Sequence, residues 1–437
     1  MLSSRLFWIT IVLILILGGA WFLIEGDLTP PNITLEKTIH YIGHEKEIEF
    51  FVDDPKSGAK FVHIVVQQEE MKKDVSTFDF PEKGILRKDV KFNIKPKSLG
   101  LKDGKAILII SAVDHSLFQN EVTLEKEIFI DTHPPQIQMR SLNHYISVGG
   151  SCLVVYDVSK DTLKSGVLVK DLFFRGYPLN EDGMYGAYFA LPWDASPATP
   201  VVLTAYDQAG NAATVSFPHR ILKREFRKVR MNISDNFLRG KMPEFRHKHG
   251  NPQDSDLDIY LRINNQLRKG NNIKIKTICD KSHAEKLWEG SFLRMKGSPK
   301  AQFADRRTYY HKGKAIDKQV HLGVDIAALK RFPVKAANSG IIILSDYLGI
   351  YGNTILIDHG QGLFSMYSHL SSFKVKHGVK VKKGDIIGNT GTTGLAGGDH
   401  LHFSMIVQGT YVDPKEWWDP HWIKDNITLK LIPNQSN

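Results

Sequence analysis

The chain is 437 residues long, 42% hydrophobic and 24% charged, with 35 glycines and 19 prolines. That length exceeds one ordinary domain, and the balance of apolar and charged residues excludes global disorder and collagen-like repetition. A formal net charge of +10 is compatible with an anionic membrane face, an anionic wall polymer or nucleic acid, and equally with a solvated lysine-rich surface that has no dedicated partner.

At the amino terminus, Leu6 to Ile24 reads LFWITIVLILILGGAWFLI, with no charged residue. As a helix it would span roughly 28 Å, close to the hydrocarbon thickness of a bilayer. Arg5 precedes it and Glu25 and Asp27 follow, so the positive-inside rule keeps the terminus cytoplasmic. No small-x-small site follows the run, which favours an uncleaved anchor over a signal peptide. Residues 1–26 are therefore expected to be a cytoplasmic tip and single-pass transmembrane anchor. The location expected is the cytoplasmic membrane, with the bulk of the chain periplasmic or otherwise extracytoplasmic. Of the two cysteines, Cys152 and Cys279, nothing in the sequence decides between a bridge and two buried thiols.

An internal repeat follows. Asp27 begins DLTPPNITL and Asp131 begins DTHPPQIQM; ILIISAVDHSLFQN runs to Asn120 and VVLTAYDQAGN to Asn211. Period-two patterning with Gly, Asn and Asp at the turns predicts two antiparallel β-sandwiches, 27–130 and 131–220, with the proline pairs as stiff joints. Both units resemble the immunoglobulin-like modules of bacterial surface proteins. The resemblance implies spacer or docking modules, through which a protein activator or docking partner could act.

Residues 221–290 form a basic connector. Ser255 is a candidate N-cap with Asp258 three residues on, Gly270 a candidate terminator, and Leu257, Tyr260, Leu261 and Leu267 share one face. DKSHAEKLWEG predicts a second, shorter helix. The connector's charges read as a solvated face, and its position would let it cover a groove.

From 291 to 437 the text is again β-rich and glycine-punctuated: YGNTILIDHG, GLFSMYSHLSSF, VKKGDIIGNTG. In HLHFSM, alternation puts His400, His402 and Ser404 on one strand face and Leu401 and Phe403 on the other. Two imidazoles on one face need partners in one pocket. His321 and Asp325 in QVHLGVDIAA are set among apolar residues, and with His402 they make three ligands suited to zinc, leaving a position for water. His369 ends another alternating strand.

HLGVD, YGNTILIDHG, MYSHLSS, VKKGDIIGNTGTTG and HLHF, in that order, resemble the lysostaphin-type, LytM-like zinc endopeptidases of the bacterial cell wall. The resemblance covers the last third of the chain. It implies a mostly antiparallel β fold, cleavage of peptide bonds in peptidoglycan, and one zinc ion held by His321, Asp325 and His402. His369 and His400 match the family's two non-ligand histidines and are expected to be catalytic. Ser404 stands where a glutamate is common, Asp399 where proline is common, and Ala304 where glycine is common.

The reading as a whole is a mainly β, membrane-anchored zinc metalloendopeptidase acting on peptidoglycan, with no nucleic-acid partner. The alternative is a non-catalytic envelope scaffold or activator that keeps the fold to bind wall or partner. Several motifs are set aside. His247 and His249 form a second H-x-H in a basic loop. GNTGTTGLAGG lacks the Gly-Lys-Ser/Thr ending of a phosphate loop. His359 is assigned a structural role, and Trp417, Trp418 and Trp422 close the domain.

Overall fold

A computed structural model describes residues 2–25, 27–180 and 183–432. A helix forms over Leu2–Glu25. The side chains of Leu6 and of residues 20–24 of the expected anchor lie outside the described residues. Among the described residues no helix is long and apolar enough to cross a membrane. The transmembrane anchor, the single-pass topology and location at the cytoplasmic membrane, and the membrane as partner are thereby overturned. The extracytoplasmic placement rested on that anchor and falls with it. What stands is a mainly β chain with a β-rich C-terminal domain.

The chain divides into two compact units, Met1–Pro135 with Tyr206–Ala212, and Gln136–Ala205 with Ala213–Asn437. In the first, a three-stranded sheet runs in the order Asn32–Leu35, Lys46–Asp53, Arg87–Ile94. A five-stranded sheet runs Tyr41–Ile42, Glu121–Ile130, Gly104–Asp114, Ala59–Gln68, Met71–Asp79. Alternation along these strands buries Phe50, Val52, Ile64, Val66, Leu108 and Ile110 in one core.

In the second unit, strands Tyr177–Pro178, Met184–Ala190, Ser151–Val158 and Ile137–Met139 make a four-stranded sheet. Its core is continuous with that of the C-terminal domain. Trp417 lies 6.1 Å from Tyr188, 5.6 Å from Trp288, 5.6 Å from Phe292 and 5.3 Å from Trp422. Arg175 and Gln408 exchange two hydrogen bonds, 2.7 Å and 2.9 Å, between the amide N–H of one and the carbonyl of the other.

The Glu416 carboxylate accepts from the Ser151 amide at 2.8 Å and sits against Gly150, where any Cβ would collide with it. Desolvation, aided by the nearby charge of Asp413, pushes its pKa up to about 8. The folded protein thus binds a proton that the unfolded chain releases near pH 4.5, so stability from this site falls as pH rises through that interval. Melting temperatures of Glu416→Gln and wild type, measured in parallel from pH 5 to 9, should diverge in favour of the variant as pH climbs. A constant difference across the range would remove Glu416 as the cause.

The C-terminal domain is built on an antiparallel sheet ordered Ser298–Ala301, Val324–Ala327, Leu401–Val407, Leu363–Leu370, Asn353–Asp358, Gly340–Tyr347, Lys380–Val381, with Thr410–Val412 paired to Leu401–Val407. Leu401, Phe403, Met405 and Val407 enter the core shared with the preceding sheet. Phe364, Met366 and Ile406 face the other way, under helices of the connector that contribute Ile259, Tyr260, Ile263 and Ile275.

Connector helices cover Asp235–Lys241, Pro243–His249 and Asp256–Arg262. The last continues through a π turn at Ile263–Leu267 into Arg268–Ile278. Ser255 and Asp258 form a reciprocal capping box. Gly270 does not stop the helix: its penalty of about 1 kcal/mol is offset beyond it, where Ile275 is buried and Asn271 accepts from the Ile350 amide at 2.9 Å. The expected short helix in DKSHAEKLWEG is absent, since Ser282 and the His283 amide are held by Asp358, both at 2.7 Å. Cys152 and Cys279 are both free and buried.

Candidate metal centre

Strand register brings the site together. Asp325 pairs with His402 across one ladder and Ser368 pairs with His402 across the next. His321 lies four residues before Asp325 in the sequence, on a loop whose backbone is fixed by hydrogen bonds from Ala304 N to His321 O (2.7 Å) and from His321 N to Asp305 O (3.1 Å). Asp305 is in turn gripped in bidentate fashion by Arg227, at 2.9 and 2.6 Å. Gly323 is required between them. A Cβ there would sit 2.5 Å from the Phe403 carbonyl and 2.8 Å from the His402 ring.

His321 Nε2, Asp325 Oδ1 and His402 Nδ1 form a triangle with edges of 2.9, 2.9 and 3.0 Å. The outward-facing atoms of both rings decide what this triangle is. His321 Nδ1 lies 2.9 Å from the Gln302 carbonyl, which can only accept, so that nitrogen carries the proton and Nε2 is bare. The Ser404 hydroxyl donates to the Leu322 carbonyl at 2.7 Å and therefore accepts, at 3.1 Å, from His402 Nε2, leaving Nδ1 bare. Three lone-pair atoms thus converge with no proton among them, an arrangement that repels unless a cation lies between. Nitrogen and carboxylate donors from three side chains are the set that suits zinc. The residues present fit the metal.

Arg307 donates to the other Asp325 oxygen at 3.2 Å, directing Oδ1 inward. The positive charge of Arg307 favours the ionised carboxylate of Asp325 against the cost of its burial, which completes the set of His321, Asp325 and His402. These three residues are a candidate metal-binding cluster among the described residues.

His369 and His400 stand beside the triad, their rings 4.8 Å apart, and His369 is 5.8 Å from His402. His369 reaches this place through a bulge: the one residue between Asn353 and Ile355 lies opposite the two between Tyr367 and Leu370, and His369 itself takes φ +61°. A left-handed backbone on a histidine at the end of a strand re-aims its side chain. Its Nδ1–H donates to the Thr393 carbonyl at 2.9 Å, and burial, with His400 and His402 beside it, pushes its pKa well below the ordinary imidazole value. His400 Nδ1–H donates to the Gly398 carbonyl at 2.8 Å, with Nε2 3.6 Å from Asp325 Oδ1.

Residues 319–414 match peptidase family M23. Over 96 residues the chain is 38% identical to the DD-carboxypeptidase/endopeptidase Mpg of Neisseria meningitidis serogroup B, covering 22% of each chain. Over 93 residues it is 38% identical to the peptidoglycan DD-endopeptidase ShyA of Vibrio cholerae, covering 21% of this chain and 22% of that protein. The lysostaphin catalytic domain of Staphylococcus simulans is 32% identical over 28% of this chain and 92% of its own, with a TM-score of 0.24. The match spans only about a fifth of the length of these curated relatives. The M23 match and the His–Asp–His triad together make the C-terminal region a catalytic metallopeptidase domain.

Within the region that matches family M23 the other sequence motifs take structural places. The GNTGTTG loop turns tightly beside the site: Gly394, at φ +69°, packs so closely that a Cβ would lie 2.3 Å from the Gly352 amide. His359 is buried between the Ser339 carbonyl and the Ser365 hydroxyl, both at 2.7 Å. His247 and His249 sit on a short connector helix and join no metal cluster among the described residues. Ala304 adopts φ +58°, the conformation for which glycine is the easier residue. Arg307 was not singled out by its sequence, although the Arg306–Arg307 pair in FADRR was the available signal. A cavity of about 290 Å³ opens onto the triad, with Phe237 and Tyr260 of the connector helices in its wall.

Proposed function

We propose that the C-terminal domain is a zinc endopeptidase of the lysostaphin type that hydrolyses peptide bonds of peptidoglycan, with His321, Asp325 and His402 holding one zinc ion. The observation that carries this reading is the convergence of three proton-free donor atoms within 3.0 Å. The substrate class rests on the M23 match and on the names of the curated relatives. In this reading the two β-rich regions ahead of the connector, 27–130 and 131–220, are immunoglobulin-like modules. The scaffold alternative is set aside, because every polar position of the triad and its two flanking histidines is filled.

Bound there, zinc would supply Lewis acidity toward the scissile carbonyl and lower the pKa of a water toward neutrality. The protein's own part is orientation and proton movement. Gln302 and Ser404 fix which nitrogen of each ligand ring is bare, and Arg307 fixes the carboxylate. His369 and His400 each commit Nδ1–H to a backbone carbonyl, which leaves Nε2 of each to work. One takes the proton of the attacking water and the other delivers a proton to the departing amine.

Purified protein incubated with peptidoglycan should release peptide fragments detectable by mass spectrometry, stop when a chelator is added, and resume on adding zinc. Turnover unaffected by chelation, or none with zinc restored, would refute the assignment.

A further inference from the structure

Three carboxylates in the first unit have no role in the chemistry above. Asp27, Asp54 and Asp114 are 5%, 0% and 0% exposed, and one oxygen from each lies within 4.8 Å of the other two. Asp27 and Asp54 are each hydrogen-bonded through one oxygen only, whereas Asp114 is held through both. Asp27 Oδ1 accepts from the Thr29 amide at 2.9 Å. Asp54 Oδ1 accepts from the amides of Lys56, Ser57 and Gly58 at 3.0, 2.7 and 2.8 Å. Asp114 Oδ1 accepts from the Ser116 and Asn120 amides at 3.1 and 2.9 Å. The second oxygens of Asp27 and Asp54 are buried and have no hydrogen-bond partner. The nearest balancing charge is Lys56, 3.5 Å from Asp27 Oδ1 but largely exposed.

A buried carboxylate oxygen without a donor is costly, and here two such oxygens belong to carboxylates that meet a third. We propose that Asp27, Asp54 and Asp114 form a calcium site in the first unit, separate from the zinc triad. All the donors are oxygens, with no imidazole or thiolate, which selects a hard cation. The amide bonds to each Oδ1 fix the carboxylates before any ion arrives. Asn120 reinforces the site by donating to Asp114 Oδ2 at 2.7 Å and to the Asp27 carbonyl at 2.8 Å.

The internal repeat supports a built feature. Asn211 donates in the same way to Asp207 Oδ2 and to the Asp131 carbonyl, at 2.8 and 2.7 Å. A bound ion would fasten the segment at Asp27 to the turns at Asp54 and Asp114.

The full chain, stripped of metal and then given about 1 mM calcium chloride, should show a rise of several degrees in the lowest-melting transition. Dialysis should recover bound calcium. Asp54→Asn, which keeps the Oδ1 acceptor for the three amides, should lose that shift and bind calcium at least tenfold more weakly, and His402→Ala should retain both. Asp114→Asn, checked for native circular dichroism, provides a second reading should the first variant fail to fold. Equal calcium responses in wild type and the folded aspartate variants would overturn the proposal. So would the absence of any response, or an equal shift with magnesium chloride.

Discussion

His402→Ala should abolish zinc retention and lower the rate of peptide-bond hydrolysis on the order of 10³-fold or more, because several kcal/mol of transition-state stabilisation leaves with the metal. Two donors are too few for a catalytic zinc site. The variant should nonetheless fold. His402 lies on the sheet face opposite Leu401, Phe403 and Met405, which carry that strand's packing into the shared core, and its removal relieves the repulsion among unprotonated acceptors. Zinc at about a hundred times its dissociation constant should stabilise wild type by about 2.7 kcal/mol and leave the variant unmoved. Metal content after dialysis, melting curves with and without zinc, and fragment release give three independent readouts. Full zinc occupancy in the variant would end the assignment of His402 as a ligand.

The second large effect belongs to a residue that need not touch the metal. Ser404 sets the tautomer of His402 by donating to the Leu322 carbonyl and accepting from Nε2. Ser404→Ala removes that instruction, and the proton can then occupy the nitrogen facing Asp325. Partners of this kind are worth about 10- to 100-fold in metal affinity, or roughly 1.4–2.7 kcal/mol. Competition with a chelator of known affinity should show that weakening. Saturating zinc should restore much of the lost kcat, since the ligands themselves remain. Zinc affinity within twofold of wild type would show that the serine is mere packing.

How much of this was legible in the sequence differs residue by residue. Strict alternation in HLHFSM was enough to put His402 and Ser404 on one face, because a strand leaves no other choice, while His400 stands just ahead of the strand Leu401–Val407. The apolar residues flanking His321 and Asp325 marked them as a pair. What set the pair opposite His402 was ladder register, which joins segments some eighty residues apart and leaves no local trace. The bulge at His369 was equally silent, since a histidine in left-handed backbone follows no turn signature. Ser255 announced a helix start because capping is local chemistry, whereas Gly270 misled because distant packing decides where that helix ends. The apolar run at 6–24 was read as an anchor from length and hydropathy alone. Among the described residues no helix meets the requirement for crossing a membrane.

The aromatic seam around Trp417 has a consequence for how such a chain could have been assembled or could be rearranged. Tyr188 comes from one side of the seam and Trp288, Phe292 and Trp417 from the other. A recombination breakpoint placed between them would strip each fragment of part of its interior and leave an adhesive face. Exchange of the hydrolytic cassette among proteins is therefore expected to carry residues 136–205 along as cargo, with workable junctions nearer Pro135 than Ser291.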